Sequence, residues 1–472
     1  MQFYELKPEI DNLIDTYQND MIGRNKHIHS FVSLLSSLER ECVIALDGQW
    51  GSGKTFFVKQ AKMVIDATNP TTLFYKNDIS KSIRRIWKED NRSETNISPL
   101  ITTYYDAWEH DNDEDPVNSL IYEILKEDYC VNKHIRKVKL LKIASSIASM
   151  CPGGSRIRDL LKNIENLKRQ ITGEDLFETI RKQDKLKCSI EDFFNSLLPE
   201  HGDRLVVFID ELDRCSPSYA VKLLERIKHF FSCPKLTFVF SVNLLELQET
   251  VKHYYGQNFD SCRYLDRFFD LTMQLPPPDP KMYFEKIAVF PNIDLRELVC
   301  FEVVNQMGMS MREADRFLRE TKAAVSKYSS SIDVIGDLAK SIERPNRSVA
   351  KMIALNVITP IAVGLRKYNL KEYWEFIRGE NSFWLERVAM VERINDIVMP
   401  FLYPPKTIGF SGVRTHEEDI RLIRELYNAV FVKNYDAFNE DRTMIGSVLV
   451  SRDIKNIIVE VVGLFSSFSE YG

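Results

Sequence analysis

Apolar positions along this chain fall into two regimes. Up to about residue 280, short runs of strand-forming residues alternate with longer stretches of helical period. The runs are CVIAL (Cys42 to Leu46), Ile101 to Tyr105, LVVFID (Leu205 to Asp210), LTFVFSV (Leu236 to Val242) and DLTMQL (Asp270 to Leu275). The first, CVIAL, fits a buried parallel strand, and the other four read as further strands. Helical stretches between them predict a parallel sheet with crossover helices. The first forty residues read as a helical lead-in with a turn at Gly23, and Pro276, Pro277 and Pro278 stop the fifth strand.

Two stretches depart from this alternation. About a hundred residues separate the second and third runs, far beyond an ordinary crossover. This insertion carries helical patterns in KLLKIASSIASM and RIRDLLKNIENLKRQI, separated by Pro152, Gly153 and Gly154. After Pro280 no further buried strand is expected, and the pattern is helical to the C-terminus with a break at KSIERPNRS. Its most apolar segment is MIALNVITPIAVGL, Met352 to Leu365. Holding Asn356 and Pro360, it reads as a buried helix pair too short to span a membrane. No internal repeat or low-complexity tract is visible.

Composition changes this picture little. The 472 residues, 44% hydrophobic and 28% charged, suit a globular protein of two or three domains. The net charge of −5 excludes a chain basic overall, so any nucleic-acid or lipid surface must be local. The eight cysteines form no CxxC pair and read as reduced thiols. His27 and His29 lack the partners a metal site needs. The opening MQFYELKPEI has neither the basic start nor the apolar core of a secretion signal. A cytoplasmic protein, peripheral at the membrane at most, is expected.

Chemistry enters at GQWGSGKT, which fills the pattern G-x-x-x-x-G-K-[ST] between an apolar run and a helix. Gly48, Gly51 and Gly53 let the backbone curl so that the N–H groups of Gln49, Trp50, Ser52 and their neighbours turn toward phosphate oxygens. The helix N-terminus adds positive potential. Lys54 is placed for the β- and γ-phosphates and Thr55 for Mg²⁺. The expected ligand is ATP with Mg²⁺, since no NKxD motif for guanine follows the fourth strand.

The partner motif is LVVFIDELDRC. Its apolar run delivers Asp210 to the carboxyl end of a strand, the edge where open α/β sheets bind ligands. Asp210 is placed to hold Mg²⁺, and Glu211 to deprotonate the attacking water, with Asp213 or Asp106 as alternative bases. A helix cap explains one acid there but not an acid pair. If the strand order is that of the additional-strand P-loop class, the fourth strand lies between the third and the P-loop strand. Ser241 or Asn243 at its end then reaches the γ-phosphate, unless Asn243 is a plain turn residue.

With YYDAWEHDNDEDP (Tyr104 to Pro116), FIDELDRCSPSYAVKLLERIKHFF and YLDRFFDLTMQLPPPD, these motifs resemble the KAP P-loop NTPases over about residues 20 to 320. The resemblance implies an NTPase core similar to STAND and AAA-type proteins. It implies that Gly23 and Arg24 lie near the nucleotide base, that Arg267 serves as an arginine finger and that Arg312 acts as a second sensor. A surface or salt-bridge role for these arginines stays open. Family members often carry membrane helices between the two motifs, whereas the insertion here has no segment able to span. Many bacterial members look like prophage or phage-defence proteins.

From Val131 to Cys188 there are 14 Lys and Arg against 6 Asp and Glu, a net of +8. A solvated helical face, an anionic membrane surface and nucleic acid all remain as readings of this cluster. The expected layout is an α/β P-loop NTPase core over 1–280 with a basic helical insertion at about 126–200, a helical lid over 281–340 and a helical extension over 341–472. The expected function is ATP hydrolysis coupled to conformational change or assembly. The alternatives are a nucleotide-locked scaffold with little turnover and an effector working through a partner encoded nearby. Arg267 as a finger in trans implies a homo-oligomer.

Overall fold

The structure is a computed structural model describing residues 7–72, 74–90, 99–127, 134–151, 179–230, 233–276, 278, 282–283, 294–329, 347–403, 415–432 and 442–463. The chain divides into two compact units, Leu6–Pro278 and Asp279–Gly472.

The first unit runs α1 (Ile10–Gln18), α2 (Asn25–Ser37), β1 (Cys42–Asp47), α3 (Lys54–Thr68), α4 (Asp78–Asp90), β2 (Leu100–Asp106), α5 (Pro116–Lys126), α6 (His134–Met150) and α7 (Thr179–His201). It continues through β3 (Arg204–Asp210), α8 (Pro217–Phe230), β4 (Leu236–Val242), α9 (Leu244–Tyr255), α10 (Ser261–Leu265) and β5 (Leu271–Gln274). The five strands stand where the apolar runs predict them. They pair in parallel in the order β2-β3-β4-β1-β5, the order expected of the additional-strand class. Every residue of β3 and β4 is buried, as central strands covered on both faces require. Phe240 sits edge-on to Phe269 at 5.5 Å. Truncating such a ring to Ala removes about 3–5 kcal/mol of stability.

The register decides what lies along the carboxyl edge. Asp106 pairs with Asp210, Asp210 with Ser241, and Ser241 with Leu46, one residue before the loop-facing Asp47. The described part of the insertion is no appendage. Leu140, Leu141, Ala144 and Ile147 of α6 join Ile190, Phe193 and Phe194 of α7 in the core that also holds β2 and β3. Its second expected helix, RIRDLLKNIENLKRQI, lies outside the described residues, as do the side chains of the basic cluster from Lys133 to Lys139.

The second unit contains α11 (Leu295–Met307), α12 (Met311–Ser329), α13 (Arg347–Ile353), α14 (Thr359–Tyr368), α15 (Leu370–Arg378), α16 (Phe383–Ala389), α17 (Glu392–Leu402), α18 (His416–Phe431), β6 (Arg442–Ile445), β7 (Val448–Ser451) and α19 (Asp453–Gly463). The expected boundary at 340 falls outside the described residues, and α11 and α12 pack against α14 across it.

Two expectations about this unit need correction. The apolar segment is one helical run, because a π-turn at Ala354–Ile358 joins α13 to α14. Pro360 has no N–H to give the preceding turn. The wider turn absorbs the defect, and the Thr359 hydroxyl donates to the Ala354 carbonyl at 2.9 Å. The run Val349–Tyr368 is therefore long and apolar enough to cross a membrane, with 83% of its apolar window buried. The unit is also not wholly helical, since β6 and β7 form an antiparallel hairpin. Gly446 makes its turn at φ 57, where a Cβ would lie 1.4 Å from the Leu402 carbonyl oxygen.

Candidate functional site

The loop between β1 and α3 takes the shape its glycines allow. Gly51 and Gly53 have φ of 82 and 80, and the amide of Ser52 closes a turn onto the Gln49 carbonyl at 3.1 Å. A Cβ on Gly48 would meet the Ser52 Oγ at 2.8 Å. Lys54, the first residue of α3, is only 7% exposed. Its ammonium donates to the Gly48 carbonyl at 2.7 Å and reaches that of Gln49 at 3.4 Å. Burial pulls its pKa below the ordinary lysine value, while Asp213, Asp210 and Glu211 act the other way.

Asp210 is fully buried at the end of β3. One carboxylate oxygen accepts the Tyr104 hydroxyl at 2.9 Å, the other the Glu211 amide at 3.1 Å. Burial raises its pKa, and the nearby hydroxyls of Thr55, Ser241 and Tyr104 oppose that rise. The Oγ of Ser52 is buried without a hydrogen-bond partner. Such an orphaned group in a phosphate-type loop fits a polar ligand. The donor set also fits Mg²⁺. Among the described residues no three His, Cys, Asp or Glu side chains cluster to hold a metal alone, and Mg²⁺ at an NTPase site takes most of its shell from phosphate and water.

Glu211 adopts φ 60 and ψ 23, left-handed backbone that a glutamate enters at about 1–2 kcal/mol. Its Oε2 meets the Arg214 Nε at 2.5 Å. Burial raises its pKa first, with Asp210 adding to the rise and Arg214 opposing it. Strain and a displaced pKa in one side chain at the sheet's ligand edge mark a working position.

The segment after β2 packs along the same edge through ring contacts, hydrogen bonds and ion pairs. Tyr105 stacks on His110 with centroids 4.7 Å apart, and Tyr105 shares a 2.5 Å hydrogen bond with Tyr219. His110 contacts Asp113 through Nδ1 at 2.8 Å and Glu123 through Nε2 at 3.3 Å. Asp115 caps α5 through the Val117 amide and pairs with Arg226 at 2.6 Å. Trp108 is left 58% exposed at the rim.

Burial alone would lower the pKa of His110, but Glu123 and Asp113 raise it above the ordinary value. Its stabilisation is then whole below the unfolded value of about 6.5 and fades as pH rises through the folded one. His110→Phe is expected to keep the ring stack and destabilise the protein by about 3 kcal/mol at pH 6. In thermal unfolding, the gap to wild type should narrow by pH 9; a gap independent of pH would remove the charge from this account.

Residues 24–287 match the KAP family P-loop domain, more than half of the chain. The chain belongs to the KAP family. No curated protein matches it in sequence. It thus carries a P-loop NTPase domain, a fold built for nucleotide binding and hydrolysis.

Other expected site residues of this KAP domain take varied places. Asn243 caps α9, its side-chain oxygen accepting the Leu245 amide at 3.2 Å. Arg24 is buried, and its guanidinium donates to the carbonyls of Ser52 at 2.7 Å and of Pro276. Burial lowers its pKa to about 10. Arg24 thus ties the phosphate loop to the segment that follows β5. Arg267 is exposed in the turn after α10, and Arg312 is exposed on the first turn of α12 in the second unit. Sequence reasoning did not find Tyr104. Its partner Asp210 is 106 residues away, and only the pairing of β2 with β3 brings them together.

Proposed function

We propose that the KAP domain binds ATP with Mg²⁺ and hydrolyses it, coupling the nucleotide state to conformational change or assembly of the chain. The observation that carries this is the buried Lys54 ammonium, held on loop carbonyls beside three carboxylates. A cation kept there with no salt bridge among the described residues is poised to exchange carbonyls for phosphate oxygens. Thr55 and Asp210 would hold Mg²⁺, which neutralises phosphate charge when bound. Ser241 and the side-chain nitrogen of Asn243 would face the γ-phosphate. Glu211 would take the proton of the attacking water once it leaves Arg214. Homo-oligomerisation, a cytoplasmic location and a role in phage defence complete the proposal; the exposed Arg267 supports the first and the family resemblance the last.

The Glu211–Arg214 pair favours a second reading, a scaffold locked by bound nucleotide with little turnover. Steady-state phosphate release separates the two, since near-zero release with tight retention of nucleotide belongs to the scaffold. Phosphate binding itself is tested by Lys54→Ala. Loss of one charge-assisted contact is expected to weaken ATP binding about 10- to 100-fold by calorimetry. Unchanged affinity would remove the loop from the site.

A further inference from the structure

We propose that Trp50 and Asp213 form a latch that holds the phosphate loop open for a triphosphate, with Asp213 as a positioning residue. The inference rests on the reading of that loop as the ATP site. Phosphate is gripped by backbone N–H groups and Lys54, so a tryptophan at the third position of the loop is not needed for the grip. Its ring is 49% exposed, which burial of apolar surface cannot explain. Its indole N–H, however, donates to Asp213 Oδ2 at 2.8 Å.

Asp213 lies in the short turn after β3 and is only 5% exposed. The same Oδ2 accepts the amide of Asn243 at 3.2 Å. One oxygen thus ties together the segments that follow β1, β3 and β4, the three central strands of the site. The other oxygen, Oδ1, is buried with no hydrogen-bond partner. A buried carboxylate left half satisfied is costly unless a cation stands near. Lys54 is that cation, and Asp213 is the carboxylate acting on it most strongly. When Lys54 turns to phosphate, Trp50 and the Asn243 amide still hold the carboxylate, and the loop keeps its shape through the exchange. The latch therefore acts on binding of the triphosphate more than on its cleavage.

Trp50→Phe keeps the ring and removes only the donor. It is expected to raise KM and Kd for ATP about tenfold, with kcat falling far less and the thermal midpoint unmoved. Asp213→Ala should weaken binding at least as much. The double variant should bind no worse than Asp213→Ala alone, because both changes break one contact. Trp50 emission, isolated in each background as the difference made by Trp50→Phe, should shift to the red in Asp213→Ala without nucleotide. Trp50→Phe binding like wild type, or penalties that multiply in the double variant, would overturn the latch while leaving the ATP site intact. A wild type with no ATP affinity would instead overturn the site, and the latch with it.

Discussion

Glu211→Gln is expected to lower ATP turnover by about two to four orders of magnitude while ATP binding survives. Gln keeps the shape of the side chain and a hydrogen-bonding group for Arg214, but it cannot accept a proton. The left-handed backbone at this residue strains Glu and Gln alike, so the comparison isolates the base. With the Glu211 pKa raised by burial and by Asp210, wild-type turnover should climb with pH through that raised value, as the carboxyl must be ionised to act. The variant's residual rate should be flat over the same range. Steady-state phosphate release with calorimetric ATP binding checks both halves. Equal turnover in the two proteins would move the base elsewhere. Asp106 is a poor substitute, its Oδ1 already accepting the amides of Trp108 and Glu109 at 3.1 and 3.2 Å. Asp213 is engaged in the same way, its Oδ2 accepting the Trp50 indole and the Asn243 amide, so both carboxylates would then be tested.

Arg267→Ala is expected to reduce turnover by about 10³-fold or more, the loss typical of a missing arginine finger. The topology says where such a finger acts. β5 runs parallel to β1, with Leu271 level with Ile44 and Gln274 level with Asp47. Arg267 precedes that strand and so lies at its amino end, whereas the phosphate loop leaves the carboxyl end of β1. No ion pair holds the Arg267 side chain among the described residues. An exposed cation at the wrong edge for its own nucleotide is useful to the site only if a neighbouring copy receives it. Turnover per subunit should therefore rise with protein concentration. Mixing inactive Lys54→Ala with inactive Arg267→Ala protein should restore part of the activity, since each supplies what the other lacks. A dead mixture of variants that still assemble would make Arg267 a structural residue. So would a wild type that stays monomeric with an ATP analogue and shows turnover flat with concentration.

Much of the first unit was legible along the chain. Runs such as LVVFID and LTFVFSV are strands because apolar residues without alternation have no other comfortable place in a chain that also carries helical stretches. GQWGSGKT and the acid pair at Asp210 and Glu211 follow from local chemistry, since each motif is complete within a few residues. The hairpin of β6 and β7 was not legible. Its strands have four residues each, and Arg442 and Met444 face solvent, leaving too short a pattern to tell from a loop. The π-turn before Pro360 was hidden for another reason: a proline marks a defect in a helix without saying whether the helix breaks or widens.

The sequence by itself determined the phosphate loop, the strand that presents Asp210 and the five-strand alternation, because apolar runs, glycines and helix starts act within one turn or one strand. Only the tertiary structure decided the connections among them. Trp50 and Asp213 stand 163 residues apart, Tyr104 and Asp210 106, and Arg24 and Pro276 252. No local pattern marks such pairs. They meet because parallel strands in a fixed register bring their ends to one edge, and because a buried polar group must find its partner wherever packing has placed one.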